Sequence, residues 1–323
     1  MTPLKISWLT EYLAPGPIDP SSDSPMASIR YRITLPALQF AERGHDVSVL
    51  NPSLLTAGTE REHALDVLVV PKQQASSVEE TVQWQNAALA LADKAKQRGA
   101  LIVADYCDYH IDTPILGPFQ KALASLADVR VASTKKLSSI MSTATGLNFH
   151  VISDPIEGPR GNAEYNPPES RKGIRAIFSA SNPLRLLWFG HEFNFGALYN
   201  FAPQLETLYS KNAIELVVVT NPMPAIVDSI DKLGNIAPKH FKLRLQPWSR
   251  SAVWHELQQC HCVLIPAQLE NPKVAVKSPN RLIESLWAGK WVLAHPIPSY
   301  EELGQWAWVK EDLISGHQWG MEN

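Results

Sequence analysis

Cysteine is scarce in this chain: three in 323 residues, too few and odd in number for a disulfide framework. That count fits a reducing compartment, the cytoplasm by default. Charge of one sign is also missing. Lys plus Arg is 29 against 32 Asp plus Glu, a net charge of −3 with pI near 6.4, so no overall basic field argues for nucleic acid. No apolar run reaches the ~18 residues of a membrane span. The apolar start is interrupted by Glu11 and Pro15 and reads as a first strand rather than a leader. The glycines never form G-x-G-x-x-G after a strand, so a dinucleotide fingerprint is absent. What is plentiful is proline, 25 residues against a usual share of ~5%, and tryptophan, 10 residues. Hydrophobic residues make up 45% and charged residues 19%, which excludes a mainly disordered chain. At ~150 residues per domain the length suggests two domains.

Short unalternated apolar runs alternate with helical stretches. The first half places strands at Leu4–Leu9, Asp46–Leu50, Leu65–Val70, Leu101–Ala104, Val129–Ala132 and Phe149–Ile152. Helices are expected over Ala27–Arg43, Val78–Gln97 and Thr134–Thr145, each followed by a stop glycine (Gly44, Gly99, Gly146). Continuous β-branched runs are what strands covered on both faces require, and their alternation with helices predicts a parallel doubly wound sheet. From Asp154 to Pro183 prolines and glycines break any regular element, with Ala176–Phe178 the lone apolar patch, so this stretch reads as a connection. The second half repeats the pattern. Strands are expected at Leu184–Phe189, Ile214–Thr220, Phe241–Leu245, Cys262–Pro266 and Trp291–Ala294, with helices at Gly196–Tyr209, Pro224–Leu233, Ser251–Gln259 and Asn280–Ala288. The division is therefore residues 1–155, a linker at 156–183, and 184–323.

The densest candidate site is Lys277-Ser278-Pro279-Asn280-Arg281 running into a helix. Ser278 reads as the cap and Pro279 as a first-turn residue. Unpaired backbone N–H groups and the helix dipole attract anions, and Lys277 and Arg281 add two positive charges, a combination suited to a diphosphate. Glu284, about one turn in, can accept hydrogen bonds from a ribose diol. The plain alternative is a capped surface helix with an Arg281–Glu284 pair worth only ~0.2–0.5 kcal/mol. Gly190 and His191 open the turn after strand Leu184–Phe189, where a backbone can approach a ligand or simply change direction. In the first half, Asp105, Asp108 and His110 follow a strand and can supply a carboxylate and a near-neutral base, or serve the fold alone. Ser28, Arg30 and Arg32 open the first long helix after the Pro/Ser-rich loop Ala14–Pro25, which reads as a mobile acceptor-side lid or a linker. Cys260, His261 and Cys262 crowd together, but two cysteines one residue apart do not make a usual zinc spacing, so burial is the expectation.

The segments RGHDVSVLNP, ADYCDYHID, VISDPIE, LRLLWFGH and KSPNRLIESLWAGKWVLAHPIPSYEEL together resemble the GT-B glycosyltransferases, family 4 most of all. The resemblance spans nearly the whole chain and is strongest from Lys277 to Leu303. It implies two Rossmann-like domains facing a cleft, with a nucleotide-diphosphate sugar held by the second and a glycan or lipid-linked acceptor by the first. It also implies retention of configuration and neither metal nor other cofactor. Glu284 corresponds to the second glutamate of the family's pair, Ser278, Pro279 and Asn280 to its phosphate loop, and His110 to its first-domain histidine, with Asp108 beside it as a further catalytic candidate. Gly190, His191, Lys277 and Arg281 complete the donor set, and Ser28, Arg30 and Arg32 the acceptor side. A lipid-linked acceptor would bring the chain to the inner face of a membrane. Two positions depart: Val276 stands where the first glutamate belongs, and His191 and Phe195 stand where an arginine and a lysine are usual. The family's closing helix is also expected beyond Trp308, so the chain looks short at that end. A catalytically silent sugar- or partner-binding protein and a sugar-nucleotide epimerase are the alternatives.

Overall fold

The computed structural model describes residues 2–19, 24–54, 65–161, 183–205, 213–236 and 241–316. The Ala176–Phe178 patch lies outside them. The chain divides into two compact units, one of Met1–Pro155 with Val276–Ser278, the other of Ile156–Ala275 with Pro279–Asn323.

The strands of the first unit are β1 (Lys5–Leu9), β2 (Gly16–Pro17), β3 (Asp46–Leu50), β4 (Val67–Val70), β5 (Leu101–Tyr106), β6 (Val129–Ala132) and β7 (His150–Val151). They form one sheet in the order β2-β3-β1-β4-β5-β6-β7. All neighbours pair in parallel except β2, which runs antiparallel to β3. Its helices are α1 (Ala27–Ile29), which passes through a π-helical turn (Arg30–Thr34) into α2 (Leu35–Glu42), then α3 (Val78–Gln97), α4 (Leu116–Leu126) and α5 (Lys135–Thr145). The expected single helix over Ala27–Arg43 is therefore interrupted. The π turn widens the coil and buries Arg30, Tyr31, Arg32, Ile33 and Thr34 together, which a regular helical period would not do. Sequence periodicity missed α4, because Gly117 and Pro118 read as breakers. Both fall in its first turn, where a missing N–H costs nothing.

The second unit holds β8 (Leu184–Phe189), β9 (Ile214–Thr220), β10 (Phe241–Pro247), β11 (Cys262–Ile265), β12 (Trp291–Ala294) and β13 (Trp308–Val309), all parallel, in the order β10-β9-β8-β11-β12-β13. Its helices are α6 (Phe195–Phe201), α7 (Pro224–Ile236), α8 (Arg250–Gln259), α9 (Pro272–Ala275), α10 (Asn280–Trp287) and α11 (Pro298–Glu301). The helix expected over Gly196–Tyr209 tightens into a 3₁₀ turn at Ala202–Leu205, where Pro203 enters the coil. Cys260 and Cys262 are buried in this unit, and the His261 ring accepts the Arg185 backbone N–H at 2.9 Å. Fully buried Leu186, Leu187, Trp188, Val218 and Val219 show why β8 and β9 carry unbroken apolar runs: both faces of the sheet are covered.

In each sheet the strand order reverses beside the first strand of the unit, between β1 and β4 and between β8 and β11. In open parallel sheets ligands bind outside the carboxyl ends at such switch points. The segment Val276–Ser278, though late in sequence, belongs to the first unit: Val276 is fully buried in its core, and the Thr134 hydroxyl donates to the Val276 carbonyl at 3.1 Å. The same hydroxyl accepts the Leu137 N–H at 3.1 Å as the cap of α5. Thr134→Val should therefore lose a cap and strand a buried carbonyl at once, costing about 2 kcal/mol by urea unfolding, while Thr134→Ser should keep most of that stability.

Candidate functional site

In the first unit the chain leaves β4 and β5 at adjacent carboxyl ends. Lys72 follows β4, and Cys107, Asp108 and His110 follow β5. Asp108 is the hub. Its Oδ2 accepts from the Lys72 ammonium at 3.3 Å and its Oδ1 from the Lys277 ammonium at 3.2 Å, while His110 Nε2 lies 4.0 Å away. Burial alone would raise the Asp108 carboxyl, but Lys277, Lys72 and His110 outweigh it and hold it well below the usual carboxylate range. Cys107 moves the other way: burial, then the Asp108 charge, push its thiol up, which keeps it protonated and inert. Two of the expected catalytic residues, Asp108 and His110, are thus brought together. Lys277, expected on the donor side, joins them.

Gly117 makes this loop possible. A Cβ there would overlap the Ile111 carbonyl and sit 3.3 Å from the His110 carbonyl oxygen.

Arg32 does something different from what its place after a Pro/Ser-rich loop suggests. Its guanidinium meets Asp105 on two sides, at 2.5 and 3.0 Å, and reaches Asp154 at 3.0 Å and the Ile152 carbonyl at 2.8 Å. Burial works against the charge, but Asp105 and then Asp154 raise the Arg32 pKa above its ordinary value. This buried group ties the π turn to the ends of β5 and β7. Arg30 donates to the Ser24 carbonyl at 2.6 Å and lies 5.4 Å from the Tyr31 ring centroid, and Ser28 is half-buried on α1. The printed partners of Arg30 and Arg32 differ, Arg30 holding the Ser24 carbonyl and Arg32 the Asp105 and Asp154 carboxylates.

In the second unit the focus is the end of β8. Gly190 follows it, and Arg281, in the first turn of α10, reaches across. Arg281 Nη1 donates to the Phe189 carbonyl at 3.4 Å, and the guanidinium lies 6.0 Å from the Trp188 ring centroid. A Cβ at position 190 would sit 3.3 Å from Arg281 Nη1, so glycine permits the approach. Glu284 is buried on the same helix. His191 is exposed: its Nδ1 accepts the Phe193 N–H at 3.4 Å and lies 3.3 Å from Glu192, which accepts from Asn221 at 2.8 Å. Phe193 itself is 85% exposed. The cap of α10 differs from expectation. Pro279 occupies it with no side-chain hydrogen bond, while Ser278 groups with the first unit. The amino end of α10 is therefore not closed by a cap hydroxyl. Asn280 opens the helix.

Sequence reasoning missed Lys72, although its position just past a strand, like that of Asp108, was an available signal. It also missed Asp154 as a partner of Arg32, because a separation of 122 residues leaves no local pattern.

Two outcomes follow from the charges. Arg32→Met should cost about 3–5 kcal/mol in urea unfolding, because Asp105 and Asp154 are left buried without their cation, and adding Asp105→Leu should recover much of it. Asp108, with its folded pKa depressed, stabilises the fold fully above the unfolded carboxyl pKa near ~3.9, and that contribution fades as pH falls below it. The stability gap between wild type and Asp108→Asn should therefore be constant from pH 7 to 5 and shrink toward pH 3.

No family model matches this sequence, and no curated protein matches it. Solved structures do. HepE of Anabaena, in complex with UDP and glucose, is 12% identical with TM-score 0.58, covering 99% of this chain and 89% of that one. An α-glucosyltransferase in complex with UDP-glucose and DNA is 14% identical with TM-score 0.53, covering 90% and 79%. A Listeria monocytogenes structure described as a UDP-N-acetylglucosamine 2-epimerase is 12% identical with TM-score 0.53, covering 100% and 89%. At such identities the likeness speaks for architecture. With two parallel doubly wound units in one chain, this protein has the GT-B fold.

Proposed function

We propose that the chain is a glycosyltransferase that moves a sugar from a UDP-sugar to a carbohydrate or lipid-linked acceptor, with retention and without a metal. The observation that carries the reading is Arg281. Its guanidinium arrives at the carboxyl end of β8 from the first turn of α10, over a glycine, at the switch point of the second sheet. At the amino end of α10 the cap residue Pro279 supplies no side-chain hydrogen bond, and the helix dipole adds to the guanidinium charge. Free N–H groups and a guanidinium are what a departing diphosphate needs, since departure of the leaving group concentrates negative charge on it. Arg281 thus takes over from the basic residues that His191 and Phe195 replace.

In this reading Asn280 and Pro279 present backbone to the phosphates and Glu284 holds the ribose. Gly190 and His191 border the site. His110, steadied by Asp108, serves the sugar or acceptor from the first unit, and Arg30, Arg32 and Ser28 shape the acceptor side, Arg32 by holding its loop in place. Lys277 acts through Asp108 rather than on the diphosphate. Val276, where the family pattern has glutamate, is a core residue with no carboxylate to offer the sugar. The UDP choice is supported by the neighbours solved with UDP or UDP-glucose.

Titration calorimetry with UDP tests this. Wild type should bind, Arg281→Met should weaken binding ten- to a hundred-fold for the loss of about 1.5–3 kcal/mol of charge-assisted hydrogen bonding, and Glu284→Gln should weaken it less. No UDP binding to wild type would overturn the reading. Incubation with UDP-sugars and no acceptor separates it from the epimerase reading that the Listeria neighbour supports, since an epimerase converts the sugar nucleotide alone.

A further inference from the structure

A cavity of about 330 Å³ opens in the second unit between α8 and the strands β8, β9 and β10. It shares no residue with the donor set. Its strand residues, Arg185, Leu187, Val217 and Arg244, stop short of the carboxyl ends where Gly190 and Arg281 meet. The floor is apolar, with Leu187 and Val217 both buried. The walls are polar and incompletely bonded. A row of alternating charge runs across three strands onto the helix. Arg185 Nε lies 3.1 Å from Glu215 and Arg244 Nε 3.6 Å from the same carboxylate, and Arg244 then donates to both oxygens of Glu256 at 2.9 and 2.7 Å. Arg185 is the loose end of that row. Its Nε–H is buried and makes no hydrogen bond, for Glu215 is near but not in line with it. Its other guanidinium nitrogens have no partner among the described residues. His255 and Gln259, four residues apart and so on one face of α8, are exposed at the rim. Neither side chain has a hydrogen-bond partner among the described residues.

The lining restricts what can enter. Each guanidinium already faces a carboxylate, so a bound anion would have to push Glu215 or Glu256 aside, whereas a neutral molecule leaves both pairs intact. A buried N–H without an acceptor costs free energy, which a ligand oxygen removes. Gln259 and His255 can each donate and accept, and Glu256 can accept further bonds. Leu187 and Val217 favour a partner with carbon and hydrogen on one face. Hydroxyl groups around an apolar ring face meet all of these demands, and the volume stands at the small end of ligand cavities. We infer that this cavity is a sugar subsite of the second unit, which takes a neutral pyranose residue. That the pyranose belongs to an acceptor or product glycan rests on the glycosyltransferase reading; the sugar subsite itself does not.

The experiment titrates methyl α-glucoside and methyl N-acetyl-β-glucosaminide into the full chain, with inorganic phosphate as the charged comparison. Binding is followed by the His255 ring resonances and by calorimetry. Wild type should show saturable shifts at His255 with at least one glycoside, and these should persist with UDP present. Arg185→Met, which removes the unmet donor, should weaken binding about three- to ten-fold. Gln259 is exposed, so Gln259→Trp can close the mouth without disturbing the core, and it should weaken binding about ten-fold or more. The inference fails if neither glycoside moves the His255 resonances, which leaves a cavity holding water alone and needs no variant to show it. It also fails if phosphate binds there and the glycosides do not, if UDP abolishes the shifts, or if Gln259→Trp leaves the affinity unchanged. Failure of UDP to bind would remove the donor reading and leave a saturable glycoside shift at His255 standing.

Discussion

Parallel strands can only be joined by a crossover, so each returns to the sheet pointing the same way and every carboxyl end reaches the same edge. The functional placement in this protein depends on that constraint. It puts Lys72 beside Asp108 in one unit, and Gly190 beneath Arg281 in the other, although the members of each pair are far apart in sequence. Short, mostly apolar strands leave few polar groups within the sheets, Asp105 at the end of β5 being one. The charged groups gather at the strand ends and in the turns that follow them.

Those turns then have to manage charge. The first unit handles two acidic groups in opposite fashions. Asp105 is sealed in with Arg32 and Asp154, and the π turn that delivers Arg32 is the backbone irregularity that makes the seal possible. Asp108 is left partly open between two lysines. The first arrangement satisfies nearly every donor and acceptor in it and serves the fold. The second keeps one carboxylate between two ammonium groups at the open end of the sheet. In the second unit a single guanidinium is delivered to a strand end by a helix start, with its Nη1 on a backbone carbonyl and its charge uncommitted to any described carboxylate.

Two positions that depart from the pattern the sequence resembles have a structural setting. Val276 packs in the hydrophobic core of the first unit, and Thr134 holds its carbonyl. Val276 therefore serves the core, and Lys277, next in line, donates to Asp108. Ser278 groups with them in the first unit, and Pro279 takes the cap position of the helix that follows.

Much of this was legible in the sequence. The unbroken Leu/Val runs of β8 and β9 and the stop glycine after α5 are local signals, governed by burial and backbone geometry within a few residues. The same is true of the turn at Gly190 and of the charged start at Arg281. The rest was decided by tertiary structure. A π turn replaced a regular helix because five residues had to be buried at once. A helix formed through Gly117 and Pro118 because the first turn forgives both. Lys277 was paired with an aspartate 169 positions away, because the energy of an ion pair depends on distance in space and has no record in sequence separation.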